Sequence, residues 1–377
     1  MTEAWEQAVN VADFERLASE RLDAGALGYF AGGAADEITL RDNVAGWKRW
    51  RLRPRVLVDV SDVSTGVELL GAPCSMPVCV APVAFQRLVD PDGEVAMARA
   101  AAAAGTVMSL STIATARPGE VAGGAPGGRR FFQLYSFRDE AVTRALVEEA
   151  VESGFEAILL TVDAPVPSLR ERDLRTGFAV PPEVRVPSLE ATLGGGKPVT
   201  VAEVFAQVNP ALDWQDLSDL ASECSVPVLP KGVFTAEDAA LAIEHGAAGV
   251  VVSNHGGRQL DCVGASADVL GEVVEAVEGR GTVIVDGGIR RGTDVAVALA
   301  LGADAVLVGR PALWGLAAGG EAGALRVLEM LREELRVALA LCGCPSPADL
   351  TRRHVERAPA GPVYSVRMPD TLNAADG

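Results

Sequence analysis

One stretch of the chain, VVSNHGGRQLD (251–261), places a histidine and an arginine directly after a run of β-branched residues. His255 is one of only three histidines in the sequence, and Arg258 follows it by three positions. An imidazole is the usual proton acceptor near neutral pH, and a guanidinium binds a carboxylate through paired hydrogen bonds. The pair therefore predicts proton transfer on a substrate that carries a carboxylate.

Other charged residues close apolar runs elsewhere in the chain. Lys231 ends PVLPKG and is either a Schiff-base nucleophile, a cation beside an anion-forming cofactor, or a salt-bridged surface lysine. Asp163 ends AILLTVD, and a carboxylate there can fix the tautomer of His255. Arg170 lies just beyond it and is a second candidate to bind a carboxylate.

Glycine-rich turns close the last two apolar runs, TVIVDGG and AVLVGR. Gly288 and Arg290 belong to the first turn, and Gly309 and Arg310 to the second. Backbone N–H groups at such turns bind phosphate together with arginine side chains. Asp286 can accept hydrogen bonds from sugar-like hydroxyl groups. The turns therefore predict a site for a phosphorylated ligand.

The apolar runs supply the scaffold that must hold these residues. They are nearly continuous in apolar residues, as strands buried on both faces are. They lie at 77–84, 107–112, 130–135, 157–163, 227–232, 249–255, 282–288 and 305–310. Helix-like segments lie between most of them, for example 139–155, 235–247 and 292–304. Eight parallel strands joined by right-handed crossovers predict an α/β fold, a (β/α)8 TIM barrel. The alternative is an open doubly wound sheet, which the strand count and the lack of an early G-x-G-x-x-G motif disfavour.

We expect a single barrel domain with additions before, within and after the barrel. The expected divisions are an N-terminal extension (1–76), the barrel (77–320), a loop insertion after strand four (168–225), and a C-terminal helix and tail (321–377). In the extension we expect helices at 3–30 and 36–47, followed by chain that covers the bottom of the barrel. The insertion is rich in Pro and Gly, which predicts a long loop or lid.

The active face of such a barrel lies at the C-terminal ends of its strands. Nearly every polar residue of the eight runs lies at that end, and buried polar groups are costly unless they are paired. We therefore expect these side chains to share one site.

Composition argues against several classes of partner. A net charge of −18 repels nucleic-acid phosphates and anionic membrane surfaces. No uncharged apolar run is long enough to span a membrane, and the N-terminus lacks the apolar segment of a signal peptide. The six cysteines show neither C-x-x-C nor zinc-site spacing, which predicts reduced thiols, a cytoplasmic protein and no metal.

In their order and spacing, QLY, TVDAP, KG, SNHGGRQLD, DGGIRRGTD and LVGRP resemble the FMN-dependent 2-hydroxy-acid oxidases and dehydrogenases. The resemblance extends from YFAGGAADE to the CGC region, and SNHGGRQLD is its most specific part. It implies a barrel that carries FMN and oxidises an (S)-2-hydroxy acid to the 2-oxo acid, with reoxidation by O2 giving hydrogen peroxide. It also implies a homo-oligomer, either a tetramer or an octamer.

The resemblance assigns roles to the matching residues. The implied catalytic residues are His255, Asp163, Tyr135 and Lys231. The implied substrate-binding residues are Tyr29, Tyr135, Arg170, Arg258 and Ile113. The implied FMN-binding residues are Pro82, Val83, Ala84, Ser111, Gln133, Thr161, Lys231, Ser253, Asp286, Gly288, Arg290, Gly309 and Arg310.

Departures within the family bear on the substrate and the electron acceptor. Ile113 stands where glycolate oxidase has tryptophan, which favours an aryl or bulky acid of the mandelate or 4-hydroxymandelate type over glycolate or lactate. Ala84 matches glycolate oxidase, where mandelate dehydrogenases have glycine, which favours an oxidase over a dehydrogenase with another acceptor. Pro167 and Ser168 replace the usual Leu-Gly, so the path of the chain to Arg170 is not predicted.

Two alternatives belong to other classes. FMN barrels of the isopentenyl-diphosphate isomerase or IMP dehydrogenase type lack the HxxR pair combined with carboxylate-binding tyrosines. A non-catalytic FMN-binding barrel is disfavoured because His255, Arg170 and Arg258 are all present.

Overall fold

A computed structural model of the protein describes residues 3–359. Eight parallel strands form a closed barrel in which neighbours follow chain order and the last strand pairs with the first. The strands are β1 (Val78–Val80), β2 (Val107–Ser111), β3 (Arg129–Leu134), β4 (Ala157–Thr161), β5 (Val228–Val233), β6 (Gly249–Val252), β7 (Thr282–Asp286) and β8 (Ala305–Val308). The predicted TIM barrel is confirmed, and each of the eight predicted runs overlaps a strand.

Several strands end earlier than predicted. β1 stops at Val80 and β6 at Val252, whereas the apolar runs continue to residues 84 and 255. The loops that follow turn away from the sheet, and each contains a left-handed residue: Phe85 and His255 have φ angles of 56° and 58°. This left-handed conformation is uncommon outside glycine and does not belong to an extended strand.

Helices surround the barrel and begin and end at local signals. They are α1 (Val11–Arg21), α2 (Ala24–Ala31), α3 (Ile38–Lys48), α4 (Gly93–Ala103), α5 (Pro118–Gly124), α6 (Glu140–Glu152), α7 (Glu171–Thr176), α8 (Pro187–Thr192), α9 (Val201–Gln207), α10 (Trp214–Glu223), α11 (Ala236–Glu244), α12 (Ser266–Val277), α13 (Gly292–Ala300) and α14 (Arg310–Cys342). Thr235 caps α11 by accepting the N–H of Asp238, as the sequence predicts. None of the helices within residues 3–359 is long and apolar enough to cross a membrane.

A two-stranded hairpin closes the bottom of the barrel. Val67–Leu69 pairs with Ala72–Cys74, and Leu69 and Cys74 pack against inward-facing apolar side chains of all eight strands. Arg129, at the start of β3, donates hydrogen bonds to the carbonyls of Leu69 at 3.0 Å and Ala72 at 2.9 Å. The expectation that chain preceding the barrel covers its bottom is therefore confirmed for this hairpin.

Helices α2 and α3 of the N-terminal extension lie at the opposite end, against the C-terminal ends of the strands, whereas α1 packs on α14. The backbone N–H of Ala34 donates to the carbonyl of Gly257 at 2.8 Å. Gly288 lies so close to α3 that a Cβ atom there would be 2.0 Å from the carbonyl oxygen of Asn43. The helix predicted at 3–30 is divided, because Asn10 and Asp23 cap two separate helices.

The segment between β4 and β5 differs from the predicted loop. It contains the four helices α7 to α10. Thr200 with Glu203, and Asp213 with Asp216, form capping boxes that start α9 and α10. The helices α7, α8 and α9 have only six or seven residues and give little apolar periodicity, whereas α10 is amphipathic, a pattern that the loop prediction missed.

The C-terminal part of the described chain returns to the N-terminal extension. Helix α14 bends where Gly319 and Gly320 leave helical geometry, close to the boundary predicted at 320/321. Beyond it, Val355–Arg357 pairs with Trp50–Leu52 in an antiparallel ladder. The remainder of the predicted tail, 360–377, lies outside the described residues.

We expect Leu69→Ala to lower the free energy of unfolding by about 2–5 kcal/mol, because it leaves a cavity where the hairpin closes the barrel. Leu69 is 1% exposed, whereas Leu341, the matched control, is 71% exposed. Urea unfolding of both alanine variants measures the difference. Equal stabilities for the two variants would contradict the closing role of the hairpin.

Candidate active site

The C-terminal ends of the strands open into one cavity of about 1140 Å³, part of which is open to solvent. Cavities of this scale accommodate cofactors together with small substrates. The predicted site residues that line it are Tyr29, Pro82, Val83, Ala84, Ser111, Ile113, Gln133, Tyr135, Thr161, Arg170, Lys231, His255, Arg258, Asp286, Gly288, Arg290, Gly309 and Arg310. Asp163 and Ser253 lie directly behind this lining and bond to residues in it.

His255 and Asp163 form the predicted pair. Their Nδ1 and Oδ1 atoms lie 2.9 Å apart, and Ser253 Oγ accepts the backbone N–H of His255 at 3.0 Å. Burial alone would raise the pKa of Asp163, but His255 and Lys231 hold it below its ordinary value. An ionised carboxylate only accepts hydrogen bonds, so Nδ1 carries the proton and Nε2 is left able to accept one.

A glycine makes room for this pair. Gly232, next to Lys231 in β5, has a φ of 115°, and a Cβ atom there would lie 2.5 Å from Asp163 Cβ. Any larger residue would displace the carboxylate from the imidazole. In the KG dipeptide, Lys231 therefore supplies a cation to the cavity, and Gly232 leaves room for the Asp163–His255 pair.

The two candidate carboxylate-binding arginines flank one tyrosine ring. The guanidinium carbon of Arg258 lies 4.9 Å, and that of Arg170 5.4 Å, from the ring centroid of Tyr29. Tyr135 is buried nearby, and burial, followed by the charge of Asp163, raises the pKa of its phenol. Its hydroxyl therefore stays protonated and able to donate a hydrogen bond.

Contacts with two other segments fix the path of the chain to Arg170. Ser168 Oγ donates to the carbonyl of Arg258 at 2.5 Å, and the carbonyl of Leu169 accepts from Ala35 at 3.0 Å. Phe178, after α7, stacks on Tyr29 with ring centroids 4.8 Å apart. These contacts place Arg170 in the cavity, although Pro167 and Ser168 differ from the usual Leu-Gly of the family.

Lys231 lies at the inner end of the cavity among buried polar groups. Its Nζ atom is 3.1 Å from Asp286 Oδ2 and donates to Ser253 Oγ at 3.0 Å. Burial would lower the pKa of Lys231, but the carboxylates of Asp286 and Asp163 raise it above its ordinary value. Lys231 is 4% exposed, which excludes the surface-lysine alternative. Its raised pKa keeps the ammonium charged, which leaves no free amine for a Schiff base.

A row of hydrogen bonds crosses three neighbouring strands beside this cation. Ser111 Oγ donates to Gln133 Oε1 at 3.1 Å, and Gln133 Nε2 donates to Thr161 Oγ1 at 2.8 Å. The row offers polar atoms along one wall of the cavity, where they can bond the edge of a flat, polar ring.

The turns after β7 and β8 fit a phosphorylated ligand with sugar-like hydroxyl groups. Asp286 Oδ1 is buried and has no hydrogen-bond partner within residues 3–359, so it is available to accept from a hydroxyl. Gly288 has a φ of 79°, and α14 begins directly after Gly309, so backbone N–H groups are presented to an anion. In the part of the chain that the structure describes, the Arg290 guanidinium donates one hydrogen bond, from Nη1 to the carbonyl of Ile289 at 3.0 Å, and its other donors are available to a phosphate.

Arg310 is placed differently from Arg290. Its Nε, Nη1 and Nη2 atoms donate to the carbonyls of Phe30 at 2.9 Å, Gly256 at 3.0 Å and Gly32 at 2.8 Å. The guanidinium predicted to bind phosphate is thus largely occupied by backbone oxygens.

Several residues of this site have no role predicted from the sequence. Phe205 lines the cavity, and Gln259 Nε2 donates to the carbonyl of Asp163 at 3.3 Å. Glu94, fully buried, accepts the N–H groups of Gln86 at 3.2 Å and Thr115 at 2.8 Å. It thereby joins the loops after β1 and β2. Of the three, Gln259 had a usable signal, because it adjoins Arg258 in the most specific motif.

Known proteins share this architecture. The family model described as FMN-dependent dehydrogenase matches residues 18–357. Glycolate oxidase 3 of Arabidopsis thaliana is 48% identical over 93% of this chain and 96% of its own. An L-lactate oxidase of Nostoc sp. is 49% identical over 91% of this chain and 96% of its own.

Solved structures give the same result. A mandelate oxidase with (S)-4-hydroxymandelic acid superposes with a TM-score of 0.86 at 42% identity, covering 93% of this chain and 98% of that one. A variant of an active chimera of (S)-mandelate dehydrogenase superposes with a TM-score of 0.87 at 37% identity, covering 93% and 99%. Since the family model matches most of its length, the chain belongs to the FMN-dependent dehydrogenase family, and FMN is its cofactor.

Proposed function

We propose that this protein oxidises the (S)-enantiomer of an aryl or otherwise bulky 2-hydroxy acid, of the mandelate or 4-hydroxymandelate type, to the 2-oxo acid. O2 is the proposed electron acceptor and hydrogen peroxide the second product. The observation that carries this proposal is the His255–Asp163 pair in one cavity with Arg170 and Arg258. We also propose that the protein is cytoplasmic, because its cysteine pattern predicts reduced thiols. By resemblance to its family, we propose a homo-oligomer, either a tetramer or an octamer.

The side chains divide the reaction between them. Arg170 and Arg258 hold the substrate carboxylate, because guanidinium groups bind carboxylates in paired geometry. Tyr135 donates a hydrogen bond to the substrate. His255 Nε2 accepts the proton that the substrate loses, and Asp163 stabilises the imidazolium that results.

The inner end of the cavity serves the redox step. FMN, when bound, accepts the two electrons that leave the substrate. Lys231 provides a positive charge there, and Asp286 and Ser253 keep that charge in place. A fixed cation in a buried site stabilises negative charge that develops nearby.

The wall around Ile113 supports a bulky substrate. Ile113 is 3% exposed and lines the cavity with Tyr135 and Phe205, whose rings meet edge to face at 5.8 Å. Isoleucine is smaller than tryptophan, and the two aromatic rings offer contact to an aryl group.

The second candidate is oxidation of a small aliphatic acid such as glycolate or lactate. It is favoured by the 48% and 49% identity to a glycolate oxidase and an L-lactate oxidase, against 42% to a mandelate oxidase. The side chains and their roles are the same in both candidates, so only the substrate distinguishes them.

A panel of acids tests the proposal. The FMN-loaded protein is mixed anaerobically with (S)-mandelate, (S)-4-hydroxymandelate, (S)-lactate and glycolate, with (R)-mandelate as control, and loss of flavin absorbance is followed. We expect the aryl (S)-acids to react fastest and air to restore the colour with release of peroxide. Faster reduction by lactate or glycolate would support the second candidate, and no reduction by any acid would reject the class. Flavin that stays reduced in air would indicate another electron acceptor.

His255→Ala should retain FMN but slow flavin reduction by roughly 100-fold to 10,000-fold, because it removes the proton acceptor. The matched control is His245→Ala: His245 ends α11, bonds Ser218 Oγ through Nδ1 at 2.8 Å and stacks on Trp214. Stopped-flow absorbance of both variants measures the rates. A His255→Ala rate close to that of His245→Ala would remove His255 from the mechanism.

Ile113→Trp should lower kcat/KM for (S)-mandelate relative to glycolate by about tenfold or more, because the larger ring fills the space assigned to the aryl group. Ile113→Val is the control and should leave the preference unchanged in direction. Steady-state kinetics with both acids give the ratio. An unchanged ratio in the tryptophan variant would show that position 113 does not set substrate size.

A further inference from the structure

The C-terminal end of α2 lies against two arginine side chains of the active site. Arg310 donates to the carbonyls of Phe30 at 2.9 Å and Gly32 at 2.8 Å. Arg258 Nη1 donates to the carbonyls of Tyr29 at 2.5 Å and Gly32 at 3.1 Å. These carbonyls belong to the last turn of α2 and its C-cap residue.

The two arginines bond these carbonyls because the end of a helix leaves its last carbonyl groups without partners. The last carbonyls of a helix lack intrahelical partners and carry a partial negative charge, which cations near them stabilise. The carbonyls also stabilise the two buried guanidinium groups, which repel each other. Burial, followed by the charges of Arg258 and Arg290, lowers the pKa of Arg310 to about 9.

The third hydrogen bond of Arg310 reaches the catalytic turn. Its Nη1 atom donates to the carbonyl of Gly256 at 3.0 Å, and Gly256 directly follows His255. A single planar side chain therefore connects α2, which carries Tyr29, to the turn that carries His255 and Arg258. Three of its five N–H groups are used in this way.

Among residues 3–359, Arg290 has no comparable set of contacts. Its guanidinium makes one hydrogen bond there, to the neighbouring carbonyl of Ile289 at 3.0 Å, and the side chain lines the cavity. Arg290 and Arg310 therefore differ: Arg310 donates to three backbone carbonyls, whereas Arg290 keeps donors available for a ligand in the cavity.

We propose that Arg310 is a positioning residue for the substrate end of the site, and that Arg290 and backbone N–H groups, rather than the Arg310 guanidinium, recognise the FMN phosphate. Arg310 acts through α2 and the His255 turn, which set the places of Tyr29 and Arg258. The inference rests on the proposed function, which assigns Arg258 and His255 to the substrate.

Lysine substitutions keep the charge and remove the planar fork. We would compare Arg310→Lys and Arg290→Lys with Arg326→Lys, an exposed position of α14. Riboflavin lacks the phosphate, so the ratio of the riboflavin and FMN dissociation constants reports phosphate recognition alone. Phenylacetate lacks the 2-hydroxyl group, so its titration into the FMN-loaded protein reports carboxylate binding without reaction.

For Arg310→Lys we expect the phenylacetate dissociation constant to rise about tenfold or more, with the riboflavin/FMN ratio unchanged. For Arg290→Lys we expect the opposite, a ratio that falls about tenfold and normal phenylacetate binding. Arg326→Lys should match the wild type in both. Arg310→Gln can donate to fewer carbonyls than Arg310→Lys, so we expect it to weaken phenylacetate binding further.

Two results would overturn the inference. One is a riboflavin/FMN ratio that falls as much in Arg310→Lys as in Arg290→Lys. The other is wild-type phenylacetate binding in both Arg310 variants. Because neither measurement requires turnover, the inference can be judged even if no 2-hydroxy acid reduces the wild-type flavin, which would instead reject the proposed function.

Discussion

Eight parallel strands that close into a ring must all end at the same rim, and this constraint decides where the protein can bury charge. The inner face of the barrel is largely apolar from the hairpin at Leu69 upward, although the buried Ser109 lies in the middle of β2. The charged side chains of the site lie at the last positions of the strands or just beyond them. Lys231, Asp286 and Ser253 come from three successive strands and meet there within hydrogen-bond distance. The chemistry of the site follows from this one geometrical condition.

Charge buried at the rim is compensated in two different ways. Toward the inner end, opposite charges face each other, and Lys231 lies between the carboxylates of Asp286 and Asp163. Toward the N-terminal helices, Arg258 and Arg310 have no carboxylate of residues 3–359 at hydrogen-bond distance, and backbone carbonyls of α2 take that place. A helix outside the barrel is therefore part of the electrostatics of the site.

The sequence could predict what depends on local pattern and on the rim. The barrel and the contact between Asp163 and His255 both follow from strand ends in the sequence, and both are present. The destination of Arg310 could not be predicted, because it depends on where α2 packs, and no local pattern fixes that. The shorter helices between β4 and β5 were missed because short helices are decided by caps such as Thr200 and Glu203. The identity of the cofactor came from resemblance, since glycines and an arginine indicate a phosphate but not the group attached to it.

Glu94 has a consequence for how this protein can diverge. Its carboxylate accepts hydrogen bonds from the loop that holds Ala84 and from the loop that holds Ile113. The first position is the one proposed to bear on the electron acceptor, and the second is the one proposed to set substrate size, yet both loops are bonded to one buried group. Mutations in neighbouring, coupled positions do not act additively. Substrate range and oxygen reactivity should therefore evolve with strong epistasis, each change in one altering the background in which the other is selected.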